Sequence, residues 1–401
     1  MSVPSVFAPV IEPWPHFAED EIEAVSAVLR SGKINYWTGE QGRAFEREYA
    51  QATGRRHGIA LANGTLALEL ALQAFGVGAG DEVITASRTY VASASCAVTC
   101  GAVPVVADVD ADSQCVTAAT LRAALSPRTR AIVVVHLAGW PCPMDEIMAL
   151  AAEHSLIVVE DCAQAHGATW RGRPVGAFGH AAAFSFCQDK IITTGGEGGM
   201  LVLDDEDAWQ RAWAYKDIGR SFDAVYHRQH APGFRWLTES FGSNWRLTEL
   251  QSVLGRLQLA KLPGWTEARR HNAGVLARGF AEISALRVPV PPPHVGHAYY
   301  KFYAFVRPQA LSAGWSRDRV MAELNERGVG CTVGSCSEIY REKAFTDRGW
   351  GPVQRLATAQ ELGETSLCFM VHPTLAPATL DAHVTAMREV MAAATRRIRS
   401  M

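Results

Sequence analysis

The chain has 401 residues, of which 48% are hydrophobic and 20% are charged, so it can form two or three domains with a large buried core. A net charge of −3 gives no sign of a surface for nucleic acid or anionic membranes. Nine cysteines without a C-x-x-C pair exclude a zinc ribbon and favour a cytoplasmic enzyme with reduced thiols over a disulfide framework. The N-terminal segment MSVPSVFAPVIEPWPHF lacks the features of a signal peptide, and no run of about 18 apolar residues predicts a membrane span.

Short apolar runs rich in β-branched residues alternate with helical patterns such as Thr65–Phe75 and Asp145–His154. Apolar runs without alternation are typical of strands buried on both faces of a parallel sheet. The runs predict strands at 57–63, 81–87, 104–110, 131–139, 156–162, 180–186 and 199–205. We therefore expect an α/β fold with a mostly parallel, seven-stranded sheet that is flanked by helices.

The pattern becomes helical over a long stretch from 244 to 285, and the prolines of 289–294 then interrupt it. A strand is predicted at 299–306, and helices are predicted at 316–327 and 379–394. We predict a large domain over residues 1–260, which includes an N-terminal arm, and a small C-terminal α+β domain over residues 261–401.

The segment NGTLALELALQAFG (63–76) opens with Asn-Gly-Thr and continues as an apolar helix. The free N–H groups and the dipole at such a helix start form an anion site. Gly64 lets the backbone approach the anion, Thr65 adds a hydroxyl donor, and Ser185 is a further candidate donor. An ordinary helix N-cap is the alternative interpretation of the Gly-Thr pair.

Lys190 ends the apolar run that begins at residue 184, and glycines follow it closely. Asp161 ends the strand predicted at 156–162, and the adjacent Glu160 points to the opposite face if the strand persists. In pyridoxal 5'-phosphate (PLP) enzymes a lysine forms a Schiff base with the cofactor, and a carboxylate keeps the pyridine nitrogen protonated. We therefore interpret the chain as a PLP enzyme with Lys190 and Asp161 as catalytic residues. A capping role in the next turn is the alternative for Asp161.

Two more residues follow predicted strands at the same edge of the sheet. Gln164 lies three residues after Asp161 and is a candidate for the 3-oxygen side of the pyridine ring. Tyr90 is a candidate to stack on that ring, although a tyrosine on an apolar segment is more often a core residue.

Six segments resemble, in order along nearly the whole chain, those of the DegT/DnrJ/EryC1/StrS sugar aminotransferases, a family of fold-type I PLP enzymes. The segments are 35–50, 61–72, 135–145, 158–168, 184–199 and 244–259. The resemblance implies that Lys190 bonds to PLP, that Asp161 pairs with the pyridine nitrogen and that Gln164 contacts the cofactor nearby.

The same resemblance implies phosphate contacts from Gly64, Thr65 and Ser185 and ring stacking by Tyr90. Asn244 matches a residue that the family sends to the phosphate of the neighbouring subunit. The resemblance thus implies a homodimer with two shared active sites.

Two positions bear on substrate choice. Many members of the family carry histidine where this chain has Cys187, and the Gln188 variant also occurs in aminocyclitol enzymes. A subset of the family replaces the lysine by histidine and dehydrates its substrate, and Lys190 argues against that subset. Trp37, Gln188 and His297 are candidate substrate residues, with packing or surface roles as the alternatives.

The resemblance implies transfer of an amino group from glutamate or glutamine to a keto-sugar, with pyridoxamine 5'-phosphate as the intermediate form of the cofactor. We expect a nucleotide-linked keto-deoxyhexose as the acceptor. The first alternative is an aminocyclitol aminotransferase that acts on a keto-inositol. The second, from another class, is a catalytically silent PLP-binding sensor.

Overall fold

The structure is a computed structural model that describes residues 13–395. Residues 1–12 lie outside the described residues. They include most of the segment in which the sequence predicts no signal peptide and the first part of the predicted N-terminal arm. Among residues 13–395, no helix combines the length and the apolar character needed to cross a bilayer.

The strands form one large sheet and two small ones. They are β1 (His57–Leu61), β2 (Glu82–Ala86), β3 (Val103–Ala107), β4 (Thr129–Val135), β5 (Ile157–Asp161), β6 (Thr169–Trp170), β7 (Arg173–Pro174), β8 (Ala181–Ser185), β9 (Gly199–Leu203), β10 (Leu286–Arg287), β11 (Val295–Gly296), β12 (Phe302–Val306), β13 (Cys331–Thr332) and β14 (Ser366–Phe369). The large sheet has the order β1-β9-β8-β5-β4-β2-β3, and only β9 runs against its neighbours. The predicted seven-stranded, mostly parallel sheet is confirmed.

Helices surround these sheets. They are α1 (Glu19–Ser31), α2 (Gln41–Thr53), α3 (Gly64–Ala74), α4 (Ala92–Thr99), α5 (Ala118–Arg122), α6 (Met144–Glu153), α7 (Glu206–Lys216), α8 (Phe222–Tyr226), α9 (Glu249–Ala281), α10 (Arg317–Glu326), α11 (Lys343–Thr346), α12 (Ala357–Thr365) and α13 (Pro377–Ala394). The apolar residues of β2, β4 and β8 are buried on both faces because helices cover both sides of the sheet. The uniform apolar character of these strands follows from that arrangement.

The observed strands are shorter than the predicted ones, and for two of them the backbone explains why. The strand predicted at 131–139 ends at Val135, because Ala138 and Gly139 both have positive φ and turn the chain. The strand predicted at 299–306 begins only at Phe302, after Tyr299 with φ 49°. Both breaks place irregular backbone beside the candidate active site.

The long helix α9 connects the two larger sheets. Its capping box joins Thr248 to Gln251, and its later residues Ala273, Leu276 and Phe280 pack in the core of the antiparallel sheet β10-β12-β14-β13. The helix runs without a break across residue 260. The division into domains 1–260 and 261–401 therefore stays a prediction.

Candidate active site

A cavity of about 480 Å³ lies at the carboxyl ends of β1, β5 and β8. Parallel strands end at the same edge of a sheet, so residues far apart in the sequence meet there. The cavity wall contains seven of the predicted site residues, namely Gly64, Thr65, Tyr90, Asp161, Gln164, Ser185 and Lys190.

One end of this cavity is built around the start of α3. Asn63 caps the helix, and its side chain accepts a hydrogen bond from the Leu66 N–H at 2.9 Å. A β-carbon on Gly64 would lie only 2.6 Å from Ser185 Cβ, so glycine allows the helix start to sit directly against the end of β8. The first N–H groups of α3 and the hydroxyl groups of Thr65 and Ser185 thereby converge, which is the donor set that a phosphate requires.

Asp161 lines the same cavity, and its hydrogen bonds come from neutral donors. The Ser93 hydroxyl donates to Oδ2 at 2.7 Å, and the Ala163 N–H donates to Oδ1 at 3.1 Å. Burial raises the pKa of Asp161, and the bond from Ser93 opposes that shift. A buried carboxylate that is held by neutral donors suits a protonated pyridine nitrogen as its partner.

The neighbouring Glu160 points to the other face of β5, as the alternation of side chains predicts. Its carboxylate bonds His136 at 3.0 Å and accepts from the backbone N–H groups of Gly176, Phe178 and Gly179. Burial alone would raise the pKa of Glu160, but the bond from His136 and those from the backbone hold it below its usual value. Glu160 is therefore part of the structural core.

The sequence did not identify Ser93 and Thr89 as candidate site residues. The hydroxyls of Thr89 and Ser93 lie 2.8 Å apart and form a chain of hydrogen bonds that ends on Asp161. Their spacing of four residues at the start of α4 was visible, but many serines on helices have no such partner. Only the folded structure, in which the Ser93 hydroxyl reaches the carboxylate at the end of β5, identifies this one.

Lys190 lies between two cavities. Its Nζ is 3.8 Å from Asp189 Oδ1 and 5.0 Å from the centroid of the Tyr300 ring. A second cavity of about 410 Å³ begins on the other side of Lys190. Residues in and just before β12 form part of the wall of this cavity, including Tyr300, Lys301 and Tyr303. The lysine amine can thus reach a group in either cavity.

Gln164 and Tyr90 line both cavities. The side-chain oxygen of Gln164 accepts from the Ala138 N–H at 2.8 Å, so its amide NH₂ group remains available for a ligand. Tyr90 has 68% of its surface exposed, so the core alternative does not describe it.

The other predicted site residues lie outside both cavities of this chain. Trp37 packs face to face with Tyr226 at 6.5 Å and edge-on against Trp213. Gln188 is exposed. Their roles at the substrate remain predictions.

His297 and Asn244 also lie away from the cavity walls. His297 is buried and stacked on Tyr299 at 3.8 Å, and burial lowers its pKa to about 3. The packing alternative fits this placement. Asn244 is exposed and bridges to the backbone of Asp217, so it lies on the surface of this chain.

The sequence profile of the DegT/DnrJ/EryC1/StrS aminotransferase family matches residues 15–388. The chain belongs to this family. It is a PLP-dependent aminotransferase of fold type I, which sets aside the alternative of a silent sensor.

Three proteins illustrate what this chain is similar to. The chain is 39% identical over 343 residues to a protein of Streptoalloteichus tenebrarius provisionally named L-glutamine:3-amino-2,3-dideoxy-scyllo-inosose aminotransferase, with 83% of this chain and 79% of that one covered. It is 33% identical over 387 residues to the UDP-N-acetyl-3-dehydro-α-D-glucosamine 3-aminotransferase of Acidithiobacillus ferrooxidans, with 96% and 98% covered. A solved aminotransferase from Psychrobacter cryohalolentis is 52% identical, with a TM-score of 0.94 and coverage of 95% and 99%. The names of the first two state an aminocyclitol and a nucleotide-linked amino sugar derivative as their substrates.

The cofactor of the DegT family is PLP, and the larger cavity fits it. Its donors at the start of α3 suit the phosphate, and its buried carboxylate at Asp161 suits the pyridine nitrogen. Lys190 stands at the same cavity with an amine for the aldehyde.

Proposed function

We propose that this enzyme moves an amino group from glutamate or glutamine to a nucleotide-linked keto-deoxyhexose. One observation carries the amino transfer itself, namely the position of Lys190 between the cavity that suits PLP and a second cavity whose wall includes several charged and hydroxyl side chains. An amine that reaches both can serve the cofactor and the substrate in turn.

Each residue has a proposed task in the reaction. Gly64, Thr65 and Ser185 hold the phosphate, Tyr90 stacks on the ring, and Gln164 donates its amide to the 3-oxygen. When it is bound, PLP supplies an electron sink for the carbanion formed at the substrate carbon.

Lys190 and Asp161 carry the proton chemistry in this proposal. Lys190 Nζ would take the proton from the substrate carbon that bears the nitrogen as a general base, and it would give a proton back as a general acid. The Asp161 carboxylate keeps a proton on the pyridine nitrogen, because opposite charges interact strongly in a buried site. Ser93 holds that carboxylate in place through its bond to Oδ2.

The second cavity suits a polyhydroxylated substrate. Besides Tyr90 and Lys190, its wall carries two phenols, an ammonium group and two carboxylates, on Tyr300, Tyr303, Lys301, Asp189 and Glu342. Hydroxyl groups of a sugar or a cyclitol can both accept and donate hydrogen bonds to such a set. The cavity therefore supports both substrate classes.

We propose a homodimer in which Asn244 of one chain reaches the phosphate site of the other. Three aromatic side chains near Asn244 support an interface here, because Phe234, Trp236 and Phe241 have 79%, 82% and 100% of their surfaces exposed. Large exposed aromatics grouped in one segment commonly mark an interaction surface.

Two observations favour the aminocyclitol alternative. The relative from Streptoalloteichus tenebrarius, 39% identical, bears the name of an aminotransferase for an aminocyclitol. Gln188 is the second reason, because this variant occurs in aminocyclitol enzymes.

A panel of keto-substrates separates the two. Purified enzyme with PLP is given glutamate or glutamine and then either nucleotide-linked 3-keto and 4-keto hexoses or scyllo-inosose, and the change in product mass is measured. Amination of a nucleotide-linked sugar alone supports the proposal. Amination of scyllo-inosose alone contradicts it in favour of the aminocyclitol function, and a visible cofactor band that no amino donor bleaches contradicts both.

A further inference from the structure

The backbone of Lys190 receives a hydrogen bond from a residue near the start of the chain. The indole Nε1 of Trp14 donates to the Lys190 carbonyl oxygen at 2.9 Å, across 176 positions of sequence. Lys190 itself lies in an irregular turn after β8, where no strand ladder fixes its backbone. This contact therefore bears directly on where the lysine is held.

Trp14 is itself fixed by three partners. Its ring meets Trp265 of α9 edge-on at 5.2 Å and stacks on His372 at 5.9 Å. The guanidinium carbon of Arg269 lies 4.9 Å from the Trp14 ring centroid. The indole is thus packed between the long helix and the segment that follows β14.

Arg269 connects Trp14 to the other side of Lys190. It is buried, and Nη1 donates to the carbonyl oxygens of Tyr299 and Tyr300 at 3.5 and 3.4 Å. The Tyr300 ring lies beneath Lys190 Nζ, and its hydroxyl donates to the Asp189 carboxylate. One buried arginine therefore supports both the indole at the lysine backbone and the phenol at the lysine amine.

We propose that Trp14 is a positioning residue for Lys190, acting through the bond from its indole N–H to the Lys190 carbonyl. The bond fixes the backbone from which the lysine amine reaches the two cavities. Arg269 holds the indole of Trp14 and the backbone of Tyr300 in fixed positions relative to each other. This inference rests on the proposed role of Lys190. Trp14 lies in the wall of neither cavity, so it acts only through the lysine.

The test is Trp14→Phe, which keeps an aromatic ring and removes the N–H donor. Trp265→Phe is the matched control, because Trp265 packs on the same ring and, within residues 13–395, makes no hydrogen bond to Lys190. For both variants with PLP bound, kcat and KM for the amino donor are measured. For both without cofactor, amide hydrogen exchange is followed over the peptide that contains residues 187–192.

We expect Trp14→Phe to lower kcat roughly two- to tenfold with KM unchanged, the range that one neutral hydrogen bond spans. We also expect residues 187–192 to exchange several-fold faster in Trp14→Phe than in wild type or in Trp265→Phe. Equal effects from the two variants would show that ring packing, and not the indole N–H, positions the lysine. No effect from Trp14→Phe would show that the hydrogen bond does not contribute to kcat or to protection of the backbone. Either result overturns the proposal.

The exchange measurement needs only folded, cofactor-free protein, so it decides the positioning role even if Lys190 does not bond to PLP. Failure of the proposed function would appear separately, as wild-type enzyme that forms no covalent bond between PLP and Lys190.

Discussion

Replacement of Gly64 by alanine tests the phosphate end of the site most sharply. The new β-carbon would lie 2.6 Å from Ser185 Cβ and 3.0 Å from Ser185 Cα, whereas ordinary contacts begin near 3.4 Å. The start of α3 and the end of β8 must therefore separate by about 0.8 Å, the difference between these contact distances. Hydrogen bonds weaken quickly over such a shift, since their heavy-atom distances span only about 2.7 to 3.2 Å.

The expected loss of PLP affinity follows from the hydrogen bonds to the phosphate that this separation breaks. Loss of one charge-assisted hydrogen bond costs about 1.5–3 kcal/mol, which weakens PLP binding by roughly 10- to 150-fold. Overpacking also destabilises the cofactor-free protein by about 1–3 kcal/mol.

The assay is titration of cofactor-free protein with PLP, together with its free energy of unfolding in urea. Gly264→Ala is the control, because a β-carbon at that helical position meets nothing within 4 Å. Binding of PLP by Gly64→Ala within twofold of wild type would refute a phosphate at the start of α3.

Three further predictions concern the catalytic groups. Lys190→Ala should abolish turnover while PLP still binds noncovalently, as absorbance and activity measurements will show; activity close to that of the surface control Lys33→Ala would remove Lys190 from the mechanism. Ser93→Ala should lower kcat roughly tenfold or more, because a hydrogen bond to a charged group is worth about 1.5–3 kcal/mol, and Ser95→Ala should not; equal rates in both variants would contradict the role of Ser93. Burial raises the pKa of Asp161, so its carboxyl group stays protonated to higher pH in the folded cofactor-free protein than in the unfolded chain. As the pH rises from 3.8 through the raised pKa, Asp161 therefore lowers the free energy of unfolding. Asp161→Asn should flatten that decline in urea unfolding and reduce turnover, and an unchanged slope would be evidence against the raised pKa.

The parts of the fold and site that the sequence predicted are those set by local pattern. The apolar runs identify the seven strands of the large sheet, because burial on both faces leaves the same signal in each strand. The residues at strand ends, such as Asp161 and Ser185, reach one cavity because parallel strands share an edge. Their chemical roles stay predictions.

The parts that the sequence did not predict depend on contacts between distant segments. Trp14 meets Lys190 across 176 positions of sequence, and Tyr300 comes from beyond α9. Trp37 was a candidate for the substrate mouth, but within this chain its ring packs on Trp213 and Tyr226. No spacing rule encodes such contacts, because they arise only when the helices and the small sheet pack together.

The most direct test of the account is to reduce the PLP-loaded enzyme with borohydride, digest it and locate the phosphopyridoxyl group by mass spectrometry. The account predicts the label on the peptide that contains Lys190. A label on another lysine, such as Lys216 or Lys301, or no label at all, would contradict it.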